Sequence, residues 1–162
     1  MKESLLVPFD RINVIKDKKT REFLEKNLNI KLSFLENNIE IEGEGLDMFQ
    51  AKNIIKAIAR GFSPEKAFRL LKEDEQMEII ELRDMSEKKM KITKARLIGT
   101  KGKTRRQVEF YSGCSVSIYG KTVSLIGNYE QLNVAREAIN MIIRGTEHSK
   151  VYKFLEEAKI TL

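Results

Sequence analysis

The sequence predicts an α+β protein built as two tandem copies of one small unit, and three observations carry that prediction. Sliding the chain by 84 residues places Lys19-Thr20-Arg21 on Lys103-Thr104-Arg105, Ala51 on Ala135, Ile55 on Ile139, Ile58 on Ile142 and Arg60-Gly61 on Arg144-Gly145, with no gap across the span. Self-similarity at a fixed offset sets the architecture before any single element is assigned. Within each copy, short apolar runs that alternate and longer runs that repeat every three to four residues follow one another in one order. Finally, 162 residues with 41% hydrophobic content can pack one ordinary domain or two small ones. No run approaches the ~18 consecutive apolar residues of a membrane span.

The elements are clearest in the second copy, assigned to residues 77–162 against 1–76 for the first. Glu78-Ile79-Ile80-Glu81-Leu82 alternates as a strand, and Ser86 followed by lysines opens a helix toward Leu97. Gly99 and Gly102 interrupt it. A second helix over 103–111 stops at Ser112-Gly113, Cys114-Ser115-Val116-Ser117-Ile118 alternates as a strand, Gly120-Lys121 makes a tight turn, and Thr122-Val123-Ser124-Leu125-Ile126 returns as its partner. Leu132, Ala135, Ile139, Ile142 and Ile143 then share one face of a long helix that ends at Arg144-Gly145. Each copy carries one more helix, over 64–71 and 149–157. Before about residue 13 the register between the copies fails, because Leu5-Leu6-Val7 lies closer to its loop than 77–82 lies to Gly99.

Strand, helix, loop, helix, strand, strand, helix, with Gly99-Thr100-Lys101-Gly102 between the first two helices, is the order of a type I KH domain, whose GxxG loop clamps the backbone of single-stranded RNA. Two glycines three apart occur by chance in many loops and form a sharp turn. The charge around them separates the readings: Lys88, Lys89, Lys91, Lys94, Arg96, Lys101, Lys103, Arg105 and Arg106 fall between 88 and 107 with no acidic residue among them. Glycines let a sugar-phosphate chain come close, and the following helix's N-terminus faces negative charge. The expected RNA-binding set is Lys94, Arg96, Ile98, Gly99, Thr100, Lys101, Gly102, Lys103, Arg105, Arg106 and Lys121, with Ile98 on the apolar floor that reads bases and Lys121 on the groove's far side. Val108, Val116 and Ile118 are further floor candidates, although alternating apolar residues are more often core. Tyr111 and Tyr119 could stack on bases but sit at element ends where packing is commoner. Cys114 reads as a small buried strand residue, and His148 as a structural histidine.

Charge also divides the copies. Residues 1–76 hold 14 Lys+Arg and 14 Asp+Glu, while 77–162 hold 16 and 10, so the whole net charge of +6 lies in the second copy. At the 84-residue offset Ile15, Lys16, Asp17 and Lys18 stand where Gly99 to Gly102 stand. An isoleucine Cβ there blocks close approach and Asp17 repels phosphate, so the first copy is expected to keep the fold without the grip. No catalytic residue, metal site or cofactor is expected. The basic stretch has no carboxylate to serve as a base or ligand, one Cys and one His make no metal cluster, and Glu73-Asp74-Glu75 reads as a solvated run between the copies.

With its degenerate first loop, intact Leu97-Ile98-Gly99-Thr100-Lys101-Gly102, and tails Arg60-Gly61-Phe62-Ser63-Pro64-Glu65-Lys66-Ala67 and Arg144-Gly145-Thr146-Glu147-His148-Ser149-Lys150-Val151-Tyr152, the chain resembles the partner-of-Nob family in its compact archaeal form. The resemblance spans nearly the whole chain. It implies a cytoplasmic, non-catalytic factor of small-subunit ribosome assembly. Its intact loop would bind ribosomal RNA near the 3′ end of the small-subunit RNA, beside an endonuclease or another pre-ribosomal protein. The alternative is a general KH RNA-binding or translation-associated scaffold protein.

Overall fold

The computed structural model describes residues 1–161. They form two compact units, 1–71 and 72 onward. In the first, β1 (Lys2–Leu6), α1 (Phe9–Lys16), α2 (Lys18–Asn27), β2 (Lys31–Leu35), β3 (Asn38–Glu42) and α3 (Gly45–Ala59) follow one another, and α4 (Pro64–Ala67) ends in a 3-10 turn, Phe68–Leu71. The second runs β4 (Gln76–Glu81), α5 (Glu87–Ile98), a 3-10 turn at Thr100–Gly102, α6 (Lys103–Ser112), β5 (Ser115–Tyr119), β6 (Thr122–Gly127), α7 (Tyr129–Ile143) and α8 (His148–Thr161). Both units therefore carry the β-α-α-β-β-α order expected of type I KH folds, followed by a further helix. No helix among the described residues is long and apolar enough to cross a membrane.

Each unit has one antiparallel three-stranded sheet in which the last strand lies in the middle, in the orders β1-β3-β2 and β4-β6-β5. The period-two pattern explains this placement. Ile39 and Ile41 of β3 are fully buried while Asn38, Glu40 and Glu42 alternate with them, so the central strand turns its apolar residues toward the helices. Over the first sheet lies α3, burying Met48, Ala51, Ile54, Ile55 and Ile58. In the second unit α7 buries Leu132, Ala135, Ala138, Ile139 and Ile142. It starts at a capping box, in which Gln131 N donates to Asn128 Oδ1 at 2.9 Å and Asn128 N donates to Gln131 Oε1 at 2.9 Å.

The repeat extends to a detail below sequence resolution. Arg11 of α1 donates from Nε to the Ile58 carbonyl at 2.9 Å and from Nη2 to the Phe62 carbonyl at 2.8 Å. Arg96 of α5 donates from Nη1 to Ile142 and from Nη2 to Thr146, the residues 84 further along. The last carbonyls of a helix lack intrahelical partners and carry its negative pole. One guanidinium in each unit therefore satisfies that end and ties the first helix to the third.

These arginines serve as a ruler for the stretch between the first two helices. From Arg11 the chain stays helical to Lys16, and Asp17 alone (φ −51°, ψ 133°) separates α1 from α2. From Arg96 the helix ends two residues on, at Ile98, and Gly99 (φ 75°, ψ 175°) turns the chain out. The first turn of the next helix buries a threonine in both units, Thr20 and Thr104, nine and eight residues past the respective arginines. The loop is thus no insertion but a similar length of chain wound differently. This corrects the reason expected for the first copy's missing grip. Ile15 does not stand in a loop and obstruct RNA; it is a helical residue with no exposure, part of the core.

Candidate nucleic-acid interface

The second unit's loop is shaped by its two glycines. Gly99 has φ +75°, and a Cβ on it would lie 2.3 Å from Thr104 Oγ1 and 2.7 Å from Thr104 N, so its glycine is required by the close start of α6 as well as by its backbone angle. Gly102 has φ +76°, with only the far end of Arg106 near a Cβ placed there, leaving that side open. Between them Lys101 adopts the left-handed region itself (φ 55°, ψ 30°). Gly102 N donates to the Gly99 carbonyl at 3.1 Å, and Arg106 Nη1 donates to the Lys101 carbonyl at 2.5 Å, bracing the turn.

Thr100, Lys101, Lys103 and Arg106 are exposed around this turn. The first turn of α6 contains no acidic residue and begins with Lys103. Cations at a helix's positive end oppose its dipole by about 0.3–1 kcal/mol each. An anion held by the loop reverses that sign, so the arrangement suits a phosphate chain.

The structure does not place all the expected cations together. Arg96 is turned to the end of α7 and its guanidinium is committed there. Arg105 forms an ion pair with Glu109 at 2.7 Å, and the other carboxylate oxygen of Glu109 accepts from Val116 N at 2.9 Å. Both arginines are thus engaged by partners within the protein, which sequence spacing does not show, because it gives charge but not where a long side chain finds its partner. Lys94 Nζ donates to the Gly120 carbonyl at 2.8 Å, reaching from α5 to the hairpin turn. Lys121 is exposed in that turn.

Ile98 is 37% exposed at the end of α5 and, with Glu87, Met90, Lys91, Lys94 and Ala95, lines an apolar-walled groove of about 400 Å³. Val108 and Val116 are core residues, and Ile118 is partly buried against that core. Tyr111 packs edge-on to Phe110, with ring centroids 5.0 Å apart. Cys114 is buried. His148, the first residue of α8, contacts the Arg96 carbonyl through Nε2 at 3.0 Å. Among the described residues, no group of three or more His, Cys, Asp or Glu is placed to hold a metal ion.

Sequence reasoning passed over Thr104 and Tyr152. Thr104 is 1% exposed, and its hydroxyl lies 3.0 Å from that of Tyr152 on α8. A signal was present, because the 84-residue offset pairs Thr104 with Thr20 and Tyr152 with Phe68.

Comparison with known proteins agrees with this geometry. Residues 76–160 match the family model of the second KH domain of PNO1, described as a eukaryotic-type, type I KH domain. A KH domain-containing protein of Methanocaldococcus jannaschii is 37% identical over 167 aligned positions, covering 97% of this chain and 74% of that protein. Among solved structures, a chain of the a/eIF2alpha–aDim2p–rRNA complex from Pyrococcus horikoshii superposes with a TM-score of 0.90 at 41% identity, covering 100% of this chain and 96% of that one. Dim2p from the same organism gives 0.86 at 42% identity, covering 97% and 99%.

Proposed function

The chain belongs to the type I KH family of PNO1 and archaeal Dim2p, and from that premise we propose that it is an RNA-binding ribosome-assembly factor that holds single-stranded small-subunit ribosomal RNA near its 3′ end. The carrying observation is the glycine-framed turn of Gly99 to Gly102, opening on a helix N-terminus that bears cations and no acid. A relative that superposes over the whole of this chain is in a complex with rRNA and a/eIF2alpha, which supports RNA as ligand and a protein of the translation or assembly machinery as partner.

In this reading Gly99, Thr100, Lys101 and Gly102 grip the backbone, while Lys103 and Arg106 neutralise phosphates. Ile98 supports a base, and Lys94 and Lys121 flank the groove. The role is non-catalytic, exercised where ribosomes assemble in the cytoplasm, beside an endonuclease that matures the RNA end. Replacing Thr100 and Lys101 together with aspartate puts two negative charges on exposed positions of the turn. Affinity for an unpaired oligonucleotide of that 3′ end, read by fluorescence anisotropy, should fall at least about 100-fold with the circular dichroism unchanged. Native affinity in that variant would overturn the reading. Equal enrichment of messenger or transfer RNA on native co-purification would leave a general KH binder.

A further inference from the structure

A second concavity of about 550 Å³ adjoins the loop along the neighbouring stripe of α5, within the roughly 300–1,000 Å³ range of ligand sites. Ile92, Gly99, Thr100, Lys103, His148 and Tyr152 are among its walls. The two rings from α8 stack with centroids 6.0 Å apart and planes 14° from parallel. Lys103 Nζ lies 5.7 Å from the Tyr152 ring centroid. The Tyr152 hydroxyl is held by Thr104, and His148 by the Arg96 carbonyl, so both rings are fixed by the elements that frame the loop.

The first unit shows that the fold itself does not require this chemistry. At the same offset Pro64 and Phe68 replace His148 and Tyr152, and Phe68 stacks on Phe23 with centroids 4.1 Å apart. The unit without a loop has an apolar ring pair there. The unit with the loop has polar aromatic rings, a lysine and an open recess.

Resting on the RNA-binding reading above, we propose that this recess is a second subsite that takes an unpaired nucleotide flanking the stretch gripped by the loop. Gly99 and Thr100 belong to both sites, so a strand leaving the grip on this side passes directly over the recess. A base has a π-face that stacks on aromatic rings whatever its identity, and Lys103 faces the adjoining phosphate. The added helix α8 thereby extends the RNA footprint beyond the α5 groove.

The test uses the full chain and fluorescent RNAs: a tetranucleotide of the preferred sequence, and the same four bases extended by two nucleotides at one end or the other. Extension at one end should raise the native protein's affinity about tenfold. In Tyr152→Ala that gain should shrink below about twofold, and in Tyr152→Phe, which keeps the ring, it should persist. An undiminished gain in Tyr152→Ala overturns the subsite. Loss of all RNA binding by the native chain would instead count against the premise. A second measurement covers the case in which Tyr152→Ala does not fold. With 4-thiouridine at the flanking position, the native protein should crosslink within residues 148–152. Crosslinks confined to the α5 stretch 87–98 overturn the proposal, and saturation by a free mononucleotide with no gain from chain extension overturns it in favour of a small-nucleotide site.

Discussion

In the first unit the chain passes from one helix to the next through Asp17 alone, whereas in the second four residues, Gly99 to Gly102, swing out, although both stretches leave an arginine clamp and lead to a buried threonine in the next helix. One frame therefore supports two outcomes, and the deciding quantity is local. Ile15 keeps the helix going because its side chain is fully buried in the core, while Gly99 takes a φ of +75° that ends the helix. Charge is shared less sharply between the units than between the two copies: 1–71 holds 13 Lys+Arg and 11 Asp+Glu, a net +2, and 72–162 holds 17 and 13, a net +4.

The largest effect expected from breaking this comparison comes from forcing the first unit toward the second. Ile15→Gly removes a fully buried side chain and weakens a helix, at a cost of about 4 kcal/mol. It should add no RNA affinity, because Lys18 stands where Gly102 does, Glu22 stands where Arg106 does, and Asp17 adds a negative charge, even though Lys19 and Arg21 match Lys103 and Arg105. Denaturant unfolding and anisotropy on the same sample check both halves. A variant that keeps its stability and binds RNA more tightly would show that glycine alone makes the grip.

The next largest effect tests the shared frame. Arg11→Met and Arg96→Met should each cost about 2 kcal/mol of unfolding free energy, since each removes two charge-assisted hydrogen bonds, one to a helix-end carbonyl that still accepts from Gly61 N or Gly145 N and one to the Phe62 or Thr146 carbonyl just past the helix. The two losses should match within error. For Arg96→Met, RNA affinity measured well below the unfolding transition should change less than about threefold. A large affinity loss there would return Arg96 to the binding surface.

The order of elements was legible in the sequence because it rests on periodicity and turn residues, which are local. Ser86 caps α5 by accepting from Lys89 N, and the Ser112-Gly113 stop falls where α6 ends. The site was only half legible. The glycines and their exposed neighbours announce themselves by type and spacing. Arg96 and Arg105 do not, because the groups that claim them lie on α7, on the segment after it, or one turn along the same helix. The first copy misled for a related reason: a constant offset assumes that aligned positions share a conformation, yet Ile15 and Gly99 sit in different backbone. The Tyr152–Thr104 contact joins residues 48 apart, a separation that no local pattern encodes.

The smallest effects sharpen the electrostatic side of the comparison. For a single strand, log affinity falls with log salt by roughly 0.7 per phosphate neutralised. Had all seven cations of the expected set taken part, the slope would be near −5 by that relation. With Arg96 and Arg105 engaged elsewhere, and Lys94 and Lys121 at the groove edge, Lys101, Lys103 and Arg106 remain at the grip, giving about −2. Lys101→Gln and Lys103→Gln should each lower the slope by about 0.7 and weaken binding a fewfold at moderate salt. Lys16→Asp with Lys18→Asp, which alters the first unit's helix junction, should change affinity less than about threefold through long-range repulsion alone. Arg105→Gln should leave the slope unchanged. A drop of about 0.7 in that variant would mean that Arg105 leaves Glu109 for phosphate when RNA binds, and Val116 N would then keep Glu109 as its acceptor without the arginine.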